Sequence, residues 1–404
     1  MVVSFKSAFV ICAYVGASAA QAQEPPPNLL PNPGFEETPD ALLGEGRTIG
    51  EGKDTFSCPG WWGGRSKGTV RVSGDTRDKA GGKTSLRFDF LDPDTDNEVF
   101  VQGRVHGVKP RTIYRLGGKF KVLNVNWVFS FSHTYEYVGD ERVGGTGRRT
   151  INYPTSSGFE DREVWIITGP KVSWIEVRIQ WRGRPTIEGI VRQPSIVWMD
   201  DLVLEEIGPV FPPEGDYLAE DFEGKELDGW VLTEIGAHWE PTDPGYGDAR
   251  SPQISDEQAH SGKQSLKMVP TWGVVTRPFD REVSNCIVTG WFYEVPSTPN
   301  DKCRGIVLLA DDGKRVGLGT HRESLSNYIC YLDTGVKVTD VPKSQAWHEF
   351  KFDVTEGEGV VCFIDGVEVG RTDKIDRFSS VQIGEHAWRG STAFVDDLSI
   401  VMKP

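Results

Sequence analysis

The run Pro194-Ser195-Ile196-Val197-Trp198-Met199-Asp200-Asp201-Leu202-Val203-Leu204-Glu205-Glu206 returns in near copy as Ser391-Thr392-Ala393-Phe394-Val395-Asp396-Asp397-Leu398-Ser399-Ile400-Val401. Each copy is rich in β-branched and aromatic residues. Each is followed by a break: the stretch 208–215 with Pro209, Pro212 and Pro213 in one case, the last residues of the sequence in the other. Both therefore read as the closing strand of a domain. Working back from each copy, Gly82-Lys83-Thr84-Ser85-Leu86 matches Gly262-Lys263-Gln264-Ser265-Leu266. Phe35-Glu36 matches Phe222-Glu223, and Gly60-Trp61 matches Gly229-Trp230, in the same order. A period near half of the 404 residues means two copies of a whole domain rather than a solenoid. The expected domains are 28–207 and 216–404, with 208–215 as linker.

Forty-six glycines and 25 prolines, with no helix-period apolar pattern after residue 22, predict an all-β chain of short strands and many turns. Residues 1–22 differ. Lys6 precedes an apolar run from Ala8 to Ala20, and Ala20-Gln21-Ala22 has the form of a cleavage site, so the segment reads as a secretory signal and the mature chain as secreted. A Pro-rich leader, 23–27, follows. The formal charge of −15 becomes −16 once the single Lys6 and no acid are removed. Such a surface disfavours nucleic acid and anionic membranes and suits neutral or cationic ligands. Nothing after the signal is long and apolar enough to insert in a membrane. Five cysteines remain: Cys58, Cys286, Cys303, Cys330 and Cys362. Their odd number leaves at least one thiol outside any intramolecular disulfide, and none has metal-ligand spacing. They read either as staples or as small buried apolar residues.

The opening Asn28-Leu29-Leu30-Pro31-Asn32-Pro33-Gly34-Phe35-Glu36, the Gly82-Lys83-Thr84-Ser85-Leu86 strand and the Ile196 to Leu202 close together resemble the jelly-roll carbohydrate-binding modules of families 4, 9 and 22. The resemblance covers residues 28–207. It implies a structural calcium held by the Glu of Phe-Glu and an Asp of Asp-Asp, matching Glu36 with Asp200 here. The second copy offers Glu223 with Asp396. Alternation along the closing strand places Ile196, Trp198, Asp200, Leu202 and Leu204 on one face, and Phe394, Asp396, Leu398 and Ile400 on the matching one. A carboxylate in an apolar phase needs a partner, which a hard cation or a set of backbone amides would supply. In the second domain, Trp347-His348 on a strand before a hairpin at Asp365-Gly366 resembles laminin-G and concanavalin A-like jelly rolls over the last 60 residues or so. The expected fold class is all-β, two jelly-roll sandwiches in tandem.

Two strands carry the candidate ligand face. In Val172 to Trp181, Ile175, Val177, Ile179 and Trp181 form an apolar phase, leaving Trp174, Glu176, Arg178 and Gln180 opposite. A flat ring beside hydrogen-bonding side chains matches a sugar, which presents C–H patches and hydroxyls together. Asn124 to Val138 alternates Val125, Trp127, Phe129, Phe131, His133, Tyr135 and Tyr137 against Asn126, Val128, Ser130, Ser132, Thr134 and Glu136. The first four are expected in the core, with His133, Tyr135 and Tyr137 emerging on a rim. The acidic run Asp92 to Glu98 begins like a calcium loop but lacks its glycine and closing Glu, so it reads as a solvated hairpin tip. Gly64-Arg65-Ser66-Lys67-Gly68 has the nucleophile-elbow letters without the flanking strand and helix. No zincin spacing or paired-carboxylate strand is present.

Three readings follow. The first is a secreted, non-catalytic protein binding a polysaccharide or other glycan. The second is a polysaccharide-active enzyme, a hydrolase or lyase, working through Glu176 with Arg178 or Glu385 with His386. The third is a structural or adhesive surface protein.

Overall fold

The computed structural model describes residues 27–404 except 51–54, 92–96, 124–126, 145–148, 154–156, 184–194, 211–216, 225, 235–251, 269–273, 296–302, 322–323, 334 and 385–391. Signal, leader, acidic hairpin and the Glu385–His386 pair therefore lie wholly or mainly outside the described residues. Among those described, the single helix is a 3-10 turn at Asp40–Leu42, and no helix is long and apolar enough to cross a membrane.

Four antiparallel sheets make two sandwiches. In the first, the closing sheet runs Arg47–Ile49, Val70–Asp75, Ser85–Phe90, Ser195–Pro209, Thr112–Leu123, Glu160–Ile167. The facing sheet runs Arg149–Tyr153, Trp127–Val138, Trp174–Gly183, Asn97–His106, Trp61–Lys67, Thr55–Cys58, with Glu141–Gly144 added on Trp127–Val138. In the second sandwich the closing strand Ala393–Met402 lies between Ser265–Met268 and Cys286–Glu294, and His348–Thr355 follows them in the same sheet. Each pair of sheets encloses its own apolar core, with Trp61, Trp181 and Phe88 in one and Phe292, Tyr328 and Phe350 in the other. Between the sandwiches Arg111 donates to the Phe279 carbonyl (3.1 Å) and to Asp311 (2.5 Å), beside a small cluster of Ile113, Val210 and Val231.

The repeated sequence signals are corner pieces. Phe35 and Phe222 take left-handed backbone (φ 55° and 51°), a costly state for bulky residues. Each drops its ring beside the repeated Trp, Phe35 at 5.9 Å from Trp61 and Phe222 at 5.8 Å from Trp230. The Asp365-Gly366 hairpin forms as expected, with φ of 49° and 78° and Ile364 opposite Val367.

The closing strands differ from simple alternation. The core receives Val197 and Met199, then Leu202 and Leu204, while Trp198 lies outside it under Arg87 and Lys121. A bulge between Asp200 and Val203, with Asp201 at φ 45°, switches the phase. The second copy does the same: Val395 and then Leu398 and Ile400 enter the core, Phe394 lies opposite Tyr293, and Asp397 sits at φ 45°. Ile196, Trp198 and Phe394 are thus on the other face from the one expected. Cys58, Cys286, Cys330 and Cys362 are free and buried. Burial pushes the Cys58 and Cys286 thiols up to about 12, which makes them poor nucleophiles.

Candidate functional site

The facing sheet of the first sandwich turns one side to the core and the other outward. Ile175, Val177, Ile179 and Trp181 are fully buried, as the strand pattern requires. Register then lays the opposite phase out in rows. Trp174 lies between Tyr137 and His106, and Glu176 between Tyr135 and Arg104. Arg178 is opposite Gln102, which is opposite Trp62, and Gln180 is opposite Phe100. Rings and hydrogen-bonding groups are therefore interspersed across four adjacent strands.

A bulge decides which aromatics reach this face. Between Glu176 and Val177 the partner strand skips Thr134, so Tyr135 and Tyr137 pair with the outward phase while Phe131 and Phe129 pair with inward Ile179 and Trp181. The emergence of Tyr135 and Tyr137 is as expected. His133 instead lies opposite inward-facing Val177.

The face is tightly organised. The Tyr137 ring stacks on Trp174 at 3.8 Å with planes 2° apart, and Trp174 Nε1 donates to the Gly139 carbonyl (2.7 Å). The Arg104 guanidinium lies 5.2 Å from the Trp174 ring and 5.7 Å from Trp62, within cation–π range. Arg178 covers Phe100 at 4.1 Å and Arg142 covers Tyr135 at 3.9 Å. Gln180 donates to Glu98. Burial raises the Glu176 carboxyl above its ordinary range, and the charges of Arg178 and Arg104 oppose that shift.

All six expected residues come together, but Trp174, Glu176 and Gln180 are almost fully enclosed rather than open, the two polar groups at 8% and 7% exposure. Trp174, expected as the exposed anchor, is only 8% exposed because Tyr137 and Arg104 cover it. The accessible rings are the half-buried Tyr135, Tyr137, Trp62 and Phe100. Trp62, Phe100, Gln102, Arg104 and His106 were not anticipated, although the period of two in Val99-Phe100-Val101-Gln102-Gly103-Arg104-Val105-His106 holds that signal.

The carboxylates expected to hold calcium form matching sockets. Asp200 is fully buried and accepts N–H bonds from Ala80 (2.8 Å), Gly81 (3.1 Å) and Asp201 (2.8 Å), while Glu36 accepts from Lys83 (2.8 and 2.6 Å). In the second copy Asp396 accepts from His260, Ser261 and Asp397, and Glu223 from Lys263 and Gln264. Gly82 and Gly262, at φ 50° and 60°, are required: a Cβ would sit 1.8 Å from Glu36 Oε1 and 2.2 Å from Glu223 Oε1. Amides thus serve as the partners that the buried acids need. Glu36 Oε1 and Asp200 Oδ1 lie 3.4 and 3.7 Å from where a Gly34 Cβ would stand, so both oxygens approach the same point of the corner. Desolvation raises the Asp200 carboxyl, so a cation there would relieve an unfavourable charge. Among the described residues no group of three or more His, Cys, Asp or Glu is placed to hold a metal.

Ser344, His348 and Asp365 are connected like a hydrolytic relay, with Ser344 Oγ to His348 Nε2 at 2.7 Å and His348 Nδ1 to Asp365 Oδ2 at 2.6 Å. His348 is 8% exposed and packs against core Tyr328, while Asp365 also accepts the Glu349 N–H. The trio ties a loop to the 365–366 turn. Residues 64–68 lie in and just after the strand Trp61–Lys67, which excludes a strand-turn-helix elbow there.

No protein-family model and no curated protein matches the chain. Similar solved structures include the CBM22-1-CBM22-2 tandem domain of Paenibacillus barcinonensis Xyn10C, at 12% identity over 95% of this chain and 100% of that one, TM-score 0.28. TmCBM61, solved with beta-1,4-galactotriose, is 19% identical over 45% of this chain and 99% of its own, TM-score 0.28. The Crh5 transglycosylase is 14% identical over 48% and 88%, TM-score 0.34. At these values the similarity carries no function across.

Proposed function

We propose that the chain is a secreted, non-catalytic polysaccharide-binding protein whose first sandwich holds a neutral glycan on the outer side of its facing sheet. The observation that carries this reading is the alternation, in register, of Tyr137, Trp174, Tyr135, Trp62 and Phe100 with Arg104, Glu176, Gln102, Arg178 and Gln180. Aromatic faces take the C–H side of a sugar and the polar groups take its hydroxyls. The formal charge of −15 favours an uncharged polymer over a polyanion. Calcium bound by Glu36 with Asp200 and by Glu223 with Asp396 would brace the corner of each sandwich without touching the sugar. The linker and domain limits read from the sequence, 28–207 and 216–404, are part of the same proposal.

The test is retention on neutral polysaccharides by depletion binding and affinity electrophoresis, beside assays for reducing ends and unsaturated products. Loss of retention on Trp62→Ala with an unchanged melting temperature is expected. Turnover of any retained polymer, abolished by Glu176→Gln, would replace binding by catalysis.

A further inference from the structure

The outer side of the second closing sheet bears a separate group of rings. Tyr293 lies opposite Phe394, Phe394 opposite Lys267, and Trp291 opposite Glu349. Trp347 stands 5.5 Å from Tyr293 and 5.8 Å from His260, and His260 stacks on Trp291 at 3.8 Å with planes 12° apart. The imidazole is fixed: Nδ1 lies 2.6 Å from Asp397 Oδ2, while the Ser261 hydroxyl donates to the other Asp397 oxygen at 2.8 Å. Trp291, Tyr293 and Trp347 are half-buried, leaving part of each ring open to a ligand.

The repeat supplies an internal control. Lys119 lies opposite Asp200 as Trp291 lies opposite Asp396, and Lys121 opposite Trp198 as Tyr293 opposite Phe394. Counting back from the shared Gly-Lys-x-Ser-Leu strand, Ala80 takes the place of His260. The first copy thus fills these positions with Ala80 and two lysines paired to Asp161 and Asp78. The fold works with charge there, so the rings of the second copy are not demanded by its core.

We infer that this platform is a second site for a neutral polysaccharide, which makes the chain bivalent; the inference rests on the reading of the first face. The occupant follows from the chemistry. Rings locked by stacking and by Asp397 lose little freedom on binding, and Glu349, Lys267 and Glu257 on the same side can meet hydroxyls. Asp397, Glu257 and Glu349 lie on this side, with Lys267 engaged by Glu257, and together they disfavour a polyanion.

The experiment uses the full chain with Trp347→Ala combined with Tyr293→Lys, the latter installing the residue that the first copy carries. Two sites on one polymer bind with joined avidity, so the double variant should lose about 100-fold or more in affinity for long neutral chains. Its affinity for short oligosaccharides at the first face, and its melting temperature, should stay unchanged. Full retention by the double variant, with loss on Trp62→Ala, overturns the second site and leaves the first reading standing. If the intact chain retains no neutral polysaccharide, both fall. A change in oligomeric state by light scattering, with glycan affinity intact, assigns the rings to a second copy and also overturns the inference.

Discussion

Tyr137 and Trp174 divide two tasks that a single ring was expected to perform. Trp174 is anchored through Nε1 to the Gly139 carbonyl and covered by its neighbours, whereas the half-buried Tyr137 is the outer member of the stack. Tyr137→Ala should therefore weaken glycan affinity by about 2 kcal/mol, roughly 30-fold, with little change in melting. Trp174→Ala removes an enclosed ring and should cost about 3 kcal/mol or more of stability, measured by urea unfolding. Equal loss of affinity without loss of stability in both would mean that Trp174 itself meets the sugar. The phase that holds Trp174, Glu176, Arg178 and Gln180 was legible because every other residue in that strand is apolar. That Tyr137 would cover Trp174 was not, since cross-strand stacking depends on a register that one strand cannot display.

At the scale of the element, the bulge does what alternation alone does not. Asp201 is an extra residue in left-handed conformation, and because the bulge absorbs it Leu202 and Leu204 enter the core in step with Val197 and Met199. Inserting a second residue after Asp201 exceeds what the one-residue bulge absorbs, and should turn both leucines outward and abolish cooperative unfolding of the first sandwich. Asp201→Gly keeps the count and suits the positive φ, so it should stay within about 1 kcal/mol of the parent. Circular dichroism through a urea titration separates the two, and a stable insertion variant would show that the one-residue count is not required. Both closing strands, and their relation as a repeat, are legible in the sequence. Simple alternation puts Trp198 and Phe394 inward, because a bulge leaves each flank looking regular. The Asp365-Gly366 hairpin, by contrast, was readable from two residues, since the conformation that they favour is the turn itself.

At the scale of the molecule, the repeat makes the corner chemistry testable twice in one chain. Glu36 with Asp200 and Glu223 with Asp396 occupy equivalent corners of sandwiches that have separate cores, so each pair should govern the stability of its own sandwich. A cation that binds only the folded state adds about 2.7 kcal/mol at a hundredfold excess over its dissociation constant. Calcium addition should therefore raise the melting transitions and a chelator lower them. Glu36→Gln keeps an oxygen to accept the Lys83 N–H but removes the charge, so it should abolish the calcium response of one sandwich and leave the other responding. If the amide bonds to these carboxylates are the whole story, calcium and chelator will move neither transition, and Glu36→Gln will lower stability equally with and without the ion. Calorimetry on the parent and on both Glu→Gln variants distinguishes the outcomes, because a bound cation predicts a shift that depends on calcium concentration and an amide socket predicts one that does not.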